Sequence, residues 1–158
     1  MTLMGVNDNY LLSVVYVEDN MKPLSTPTKV YQDNFSPGKG NALQAAVASM
    51  FGQSLHDVPN FIITSKQGYE VAIRDYYQHK EANGECVKIK LSTNNDNIPE
   101  IYNNKICILR GKSPRGEHGH VVVAKHVQFG QFEMLHDPHP DETFLDKSEA
   151  FGWCLFFV

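Results

Sequence analysis

The hydrophobic positions change their spacing along the chain, and that spacing predicts which segments are helices and which are strands. Between 42 and 51, apolar residues recur at helical spacing within an alanine-rich run, which predicts a buried helix that ends at Gly52. A second, amphipathic helix is predicted from 65 to 82. The apolar positions are Leu43, Ala46, Val47 and Met50 in the first helix, and Tyr69, Ile73, Tyr76 and Tyr77 in the second.

The remaining apolar runs are short or alternating and are bounded by turn residues, which is typical of strands. Helices therefore come before a mostly antiparallel sheet, an α+β arrangement in one domain of residues 1–158, of which 1–28 is an N-terminal extension with one strand. The predicted strands are 10–17, 30–35, 86–91, 106–109 and 153–158, the last one central, with hairpin arms around 121–123 and 132–135; loops are predicted at 22–28, 92–99 and 111–119, and a helical turn near 146–150.

Composition narrows the range of partners. The chain has 158 residues, 42% of them hydrophobic, and its 14 basic and 18 acidic side chains give a net charge of −4. The positive charges are scattered, so neither nucleic acid nor an anionic membrane surface is expected as a partner.

The cysteines and the N-terminus predict a cytoplasmic location. Cys86, Cys107 and Cys154 are odd in number and widely spaced, and two of them lie in apolar runs, which favours reduced thiols. The apolar run from 10 to 17 is too short to cross a bilayer, and no basic segment precedes it.

Five of the seven histidines fall between Gly116 and Asp141, within the predicted hairpin: His118, His120, His126, His136 and His139. With Phe129-Gly130 at the turn, Val122 is opposite Asp137 and His120 is opposite His139. Strand alternation then places His118, His120, Asp137 and His139 on one face and His136 on the other. His120 and Asp137 become diagonal neighbours within reach of an imidazole–carboxylate hydrogen bond.

The start of the first helix offers an environment for the nucleophile that a histidine–aspartate pair would serve. The N–H groups and the positive dipole end of a helix stabilise a thiolate and can bind an oxyanion. A nucleophile would therefore belong at position 42, where this chain has alanine. Asn41 is predicted to cap the helix with its side chain.

Three stretches carry a resemblance to a known family: GNALQAAVASMFGQSLHDVPNF at 40–61, SPRGEHGHVVV at 113–123 and LHDPHP at 135–140. They resemble small papain-fold proteins of bacteria and their phages, in which a helix begins Gly-Asn-Cys-Leu-Gln-Ala and later segments supply a histidine and an aspartate. The order of the segments is also similar to that of bacteriocin-processing double-glycine peptidases, and cell-wall peptidases of the NlpC type are more distant relatives. The resemblance covers about 100 residues, from 30 to 140.

The resemblance implies a papain-like cysteine protease or amidase that needs no cofactor and acts on a peptide or protein substrate. Its Cys-His-Asp triad would correspond to Ala42 at the nucleophile position, His120 and Asp137. Ala42 has two explanations: a nucleophile replaced to obtain an inactive protein, which the intact surroundings favour, or a natural pseudoenzyme.

Three more residues are candidates for the oxyanion hole or for substrate binding: Gln32, Asn41 and Arg115. Gln32 fits only if the turn at 37–40 lengthens the approach to the helix, and is otherwise a surface glutamine on an edge strand. Arg115 could bind a substrate carboxylate, and is otherwise a solvated loop charge.

Two alternatives to a cysteine hydrolase stay open. One is a zinc-dependent hydrolase with ligands from His118, His120, His139 and either Asp137 or Asp141, a donor set that zinc accepts and that needs no nucleophile. The other is a non-catalytic module that binds peptides in a papain-like groove.

Overall fold

The computed structural model describes residues 21–158; the predicted strand at 10–17 and most of the N-terminal extension lie outside this range. The described part has an α+β fold with an antiparallel sheet, as the sequence predicts. The helices are α1 (Ala42–Phe51), α2 (Phe61–Thr64) and α3 (Tyr69–Lys80), and the strands are β1 (Cys86–Lys90), β2 (Lys105–Lys112), β3 (Gly119–Gln128), β4 (Gln131–His136) and β5 (Trp153–Phe157).

Helix α1 has the predicted bounds because both ends carry local signals. Gly52 adopts a left-handed conformation with φ 67°, and its N–H donates to the carbonyl of Ala48, which closes the last turn. Every residue from Leu43 to Phe51 is buried, so the helix is central to the core. Asn41 is the N-cap residue, as predicted, but its side chain makes no capping hydrogen bond to the helix.

The second helix is shorter than predicted. Gly68 has φ 100°, a conformation outside the helical region, and α3 begins only at Tyr69. Residues 61–64 form the separate short helix α2, in which the side chain of Asn60 accepts a hydrogen bond from the N–H of Ile62. The predicted helix of 65–82 therefore shrinks to 69–80.

The sheet order is β1-β5-β2-β3-β4, so β5 is an interior strand with a neighbour on each side, as predicted, and β2 is the middle strand. One face of the sheet packs on α1 and α3 through a core that includes Val47, Tyr77 and Val123. The other face is covered by loops, which contribute side chains such as Leu145 and Phe151.

The strand predicted at 30–35 is wrong, because these residues have no strand structure. They run beside the end of β4, but their bonds there join the N–H of Gln32 to the carbonyl of Pro138, and the ring of His136 to the carbonyl of Val30. Proline has no N–H to return, and a side chain cannot continue a backbone ladder. Where a helical turn is predicted near 146–150, residues 147–148 form a single turn, in which the N–H of Glu149 donates to the carbonyl of Asp146, without a regular helix.

The β3–β4 hairpin contains two bulges that compensate each other. Gln128 is opposite Gln131 at the turn, and Val123 is opposite His136 at the far end, which is the predicted register. Between them the register is shifted, since Ala124 is opposite Met134 and His126 is opposite Phe132. Val127 is the extra residue on one strand and Leu135 the extra residue on the other. The predicted register is thus right at both ends of the hairpin and wrong in its middle.

Candidate functional site

His120 and Asp137 form a buried pair where β3 begins and β4 ends. His120 is the second residue of β3, and Asp137 follows directly after β4. Nε2 of His120 lies 2.7 Å from Oδ1 of Asp137, and the two side chains are 6% and 0% exposed. The diagonal contact expected from the hairpin register is therefore present.

The carboxylate of Asp137 accepts two backbone hydrogen bonds in addition to its contact with the imidazole of His120. Its Oδ1 also accepts the N–H of His139 at 2.9 Å, and its Oδ2 accepts the N–H of Phe144 at 2.7 Å. Burial alone would raise the pKa of Asp137, but the hydrogen bonds from His120, His139 and Phe144 outweigh it and lower that pKa. Asp137 is thus held as a carboxylate that fixes the imidazole.

The hydrogen bond to Asp137 determines whether Nδ1, the other ring nitrogen of His120, carries a proton or a free lone pair. In the neutral ring, an Nε2–H that donates to the carboxylate leaves the Nδ1 lone pair free. Nδ1 of His120 has no hydrogen-bond partner within residues 21–158. The arrangement can therefore supply a general base directed away from Asp137.

Ala42 begins α1 and is half-buried against the core between the helices and the sheet. The first N–H groups of an α-helix have no partner within the helix, so residues 42–44 carry potential donors at the start of α1. The methyl group of Ala42 has no nucleophilic atom.

Asn41 is occupied by the preceding segment. Its Oδ1 accepts the N–H groups of Asp33 and Asn34 at 3.1 and 2.9 Å, and its Nδ2 donates to a carboxylate oxygen of Asp33 at 2.8 Å. This side chain therefore holds residues 33–34 against the start of α1 and is not available to bind an oxyanion.

Gln32 is buried, which overturns its interpretation as a surface residue of an edge strand. The chain folds back on itself between Asn34 and Asn41, whose backbones are joined by a 3.1 Å hydrogen bond. Because of this turn, Nε2 of Gln32 is only 4.0 Å from the position that a Cβ on Gly40 would take. The turn thus brings Gln32 close to the start of the helix, which is the condition for its candidate role. The carboxamide lies beside the segment that leads into Ala42.

The carboxamide of Gln32 is only partly satisfied. Nε2 donates one hydrogen bond to the carbonyl of Asn34 at 3.1 Å, which leaves its second N–H for another acceptor. Oε1 is buried and has no partner among the described residues. The N–H of Gln32 donates to the carbonyl of Pro138, which ties this residue to the segment that carries Asp137.

Arg115 is ion-paired rather than solvated. Its Nη1 lies 2.9 Å from Oδ1 of Asp141, 2.7 Å from the hydroxyl of Thr143 and 3.9 Å from Oδ2 of Asp137. Its side chain is 21% exposed. The guanidinium thus belongs to the surroundings of Asp137, which the sequence did not indicate.

The other histidines of the hairpin have separate environments. His118 is exposed in the loop before β3. Nε2 of His136 bonds to the carbonyl of Val30 at 2.7 Å, on the side away from the pair.

His126 is buried between the carbonyl of Tyr102 and the N–H of Gly130. Nδ1 of His139 accepts the N–H of Asp141, and its ring centre lies 6.4 Å from that of His120.

The donor geometry of a metal site is not found in the part of the chain that the structure describes. Within residues 21–158, no group of three or more His, Cys, Asp or Glu side chains is arranged to hold a metal ion. The zinc hypothesis therefore gains no support from the positions of His118, His120 and His139.

Sequence reasoning missed the loop from 139 to 144. Its N–H groups bind Asp137, and Phe144 does so at φ 64°, in the left-handed region. Nothing in the sequence marks Phe144 for this conformation, since phenylalanine rarely adopts it. The aspartate in the DPHP segment is the one local signal, because aspartate side chains often accept an N–H two residues further on.

Comparisons with protein-family models, with curated proteins and with solved structures each found no match. None of the helices between residues 21 and 158 is long and apolar enough to cross a membrane.

Proposed function

We propose that this chain is a papain-like thiol hydrolase or acyltransferase in which alanine occupies the nucleophile position. The observation that carries the proposal is the buried hydrogen bond of 2.7 Å between His120 and Asp137, with Nδ1 of His120 left free. A base oriented in this way serves a nucleophile, and the N-terminus of α1 provides an environment that suits a thiolate.

In the active form, a thiolate at position 42 would attack the carbonyl carbon of an amide, isopeptide or thioester and form a tetrahedral intermediate. His120 takes the thiol proton and returns it to the leaving group, which departs as an amine or thiol. Asp137 keeps the imidazole in the tautomer that this transfer needs. Water then hydrolyses the acyl-thioester with His120 as the base.

The oxyanion of the tetrahedral intermediate would lie at the start of α1. The N–H of residue 42 is one donor, and the second N–H of Gln32 is the other. The burial of Gln32 beside Gly40 supports this role, whereas Asn41 has no free donor on its side chain. Neither a metal nor an organic cofactor takes part in this reaction.

The test restores a thiol with the substitution Ala42→Cys and measures alkylation by iodoacetamide at neutral pH. A matched control is Ala82→Cys, which places an ordinary thiol at an exposed position after α3. We expect the thiol at 42 to react about tenfold faster than the control, because a helix N-terminus and an imidazole lower the pKa of a thiol.

The native cysteines provide internal references for the same experiment. Burial raises the pKa of Cys86 to about 12 and that of Cys107 well above its usual range, so both stay protonated and slow. Adding His120→Ala should remove the advantage of the thiol at 42. Equal rates at positions 42 and 82, or a rate at 42 that is insensitive to His120→Ala, would show that the pair serves no thiol.

The non-catalytic alternative rests on Ala42 itself, because alanine cannot attack a carbonyl. It predicts that the restored thiol behaves like the control thiol at 82. The alkylation experiment therefore distinguishes a hydrolase site that lacks its nucleophile from a groove that only binds peptides.

A further inference from the structure

The loop from His139 to Phe144 encloses the carboxylate of Asp137. Its first residue donates an N–H to Oδ1, and its last residue donates an N–H to Oδ2. Together with His120 they give Asp137 three hydrogen bonds in a fully buried position. The direction in which the carboxylate faces His120 therefore depends on the conformation of this loop.

That conformation is costly for the backbone. Glu142 and Phe144 have φ values of 56° and 64°, although neither is glycine. Residues other than glycine are strained in this region and persist there only where neighbouring contacts fix them. The loop therefore needs external support to keep its N–H groups on Asp137.

Two side chains from other segments supply that support. Nη1 of Arg115 binds Asp141 and Thr143, in the middle of the loop, at 2.9 and 2.7 Å. The hydroxyl of Tyr31 donates to the carboxylate of Glu142 at 2.6 Å. All of these contacts are exposed, but Arg115 makes two of them and its Nη1 also lies 3.9 Å from Oδ2 of Asp137, so Arg115 is the stronger of the two supports.

The backbone around Arg115 is itself fixed. The N–H of Arg115 donates to the hydroxyl of Ser113 at 3.1 Å, and Ser113 is fully buried. The N–H of Ser113 donates to the carbonyl of His118, two residues before His120. Arg115 thus joins the loop that leads into His120 to the loop that follows Asp137.

We propose that Arg115 is a positioning residue that holds the loop of residues 139–144 closed on Asp137 and thereby fixes the imidazole of His120. A catalytic role for this positioning rests on the proposed function, but the effect of Arg115 on His120 can be measured in the chain that carries Ala42. This role needs no direct contact with substrate, because the guanidinium acts through Asp141 and Thr143.

The test is NMR spectroscopy of the Ala42 chain, the variant Arg115→Met and the rescue variant Arg115→Lys. Methionine keeps the length of the side chain and removes the charge. Lysine restores one cationic nitrogen, which is what the observed contacts use, since Asp141 and Thr143 share Nη1. Arg74→Met is the matched control, because Arg74 is exposed on α3.

We expect the unaltered chain to show a protected, downfield Nε2–H resonance for His120, as a short bond to a buried carboxylate requires. In Arg115→Met this resonance should broaden or vanish, and the N–H groups of His139 and Phe144 should exchange about tenfold faster, as loss of charge-assisted hydrogen bonds implies. Arg115→Lys should recover most of both signals, and Arg74→Met should change neither.

A folded Arg115→Met chain that retains the His120 resonance and slow exchange at Phe144 would overturn the proposal, even if its stability fell, because the role would then be structural only. If Arg115→Met does not fold, Arg115→Gln, which keeps a donor and removes the charge, decides in the same way: faster exchange at His139 and Phe144 supports the proposal, and unchanged exchange refutes it. None of these outcomes depends on whether a thiol at 42 is reactive, so failure of this inference is distinct from failure of the proposed function.

Discussion

Nε2 of His120 and Oδ1 of Asp137 are 2.7 Å apart, although 17 residues separate them in sequence. Two compensating bulges lie in the hairpin between them, so the pairing at its open end is the same as in a regular hairpin with this turn. The contact between His120 and Asp137 is therefore kept because the two register shifts cancel, and it depends on both bulges being present.

The first prediction concerns the stability contributed by Asp137. Replacing it by asparagine should lower the free energy of unfolding by about 2–4 kcal/mol at neutral pH, because an amide group cannot accept all three hydrogen bonds of the buried carboxylate. Denaturation by urea measures the difference. Asp75→Asn, at an exposed position of α3, is the matched control and should have little effect.

The same prediction has a pH dependence. Since the pKa of Asp137 is lowered in the folded state, the stabilisation is fully present above the unfolded value of about 4 and is lost as the pH falls through the folded value. The gap between the unaltered chain and Asp137→Asn should therefore narrow below about pH 4. A gap that stays constant down to acid unfolding would mean that the charge of Asp137 contributes nothing.

The second prediction concerns His136, whose pKa is lowered, chiefly by burial. The unfolded chain then binds a proton more readily than the folded chain, so this group makes stability fall as the pH is lowered from about 6.5. His136→Gln keeps a donor for the carbonyl of Val30 and removes the titration. Its unfolding free energy should fall less between pH 7 and pH 5 than that of the unaltered chain.

Urea unfolding at both pH values measures this difference, with His79→Gln, an exposed position on α3, as the matched control. The control should keep the pH dependence of the unaltered chain. If His136→Gln kept it as well, the buried imidazole would not be the group that titrates.

The third prediction separates the roles of Gln32 and His120 in the Ala42→Cys variant. Acylation of the thiol by a p-nitrophenyl ester passes through an oxyanion, whereas alkylation by iodoacetamide does not. Gln32→Leu should therefore slow acylation by about 10²-fold and leave alkylation unchanged. His120→Ala should slow both reactions.

Gln67→Leu, at an exposed position before α3, is the control for this pair of measurements and should affect neither reaction. Replacing a carboxamide whose Oε1 is buried without a partner in the described chain should also leave stability unchanged or raise it. Equal slowing of acylation and alkylation by Gln32→Leu would indicate a distorted α1 terminus instead of a lost oxyanion donor.

Where local chemistry decides a structure, the sequence predicts it well. The bounds of α1 follow from an alanine-rich run and Gly52, and the interior position of the last strand follows from its continuous apolar sequence. The helix predicted from residue 65 fails at Gly68, whose φ of 100° depends on how the chain enters α3. The strand predicted at 30–35 does not form, because this segment bonds to the carbonyl of a proline and to a histidine ring and not to a regular row of backbone groups.

By itself, the sequence determined the α+β class, the hairpin and the contact between His120 and Asp137, because periodicity, turn residues and hairpin register are local properties. The role of position 42 stays a prediction. Only the tertiary structure decided that Asn41 holds residues 33–34, that Gln32 is buried beside Gly40, and that Arg115 supports the loop around Asp137. Each of these depends on contacts between segments distant in sequence, and a polar side chain takes the partner that folding brings to it.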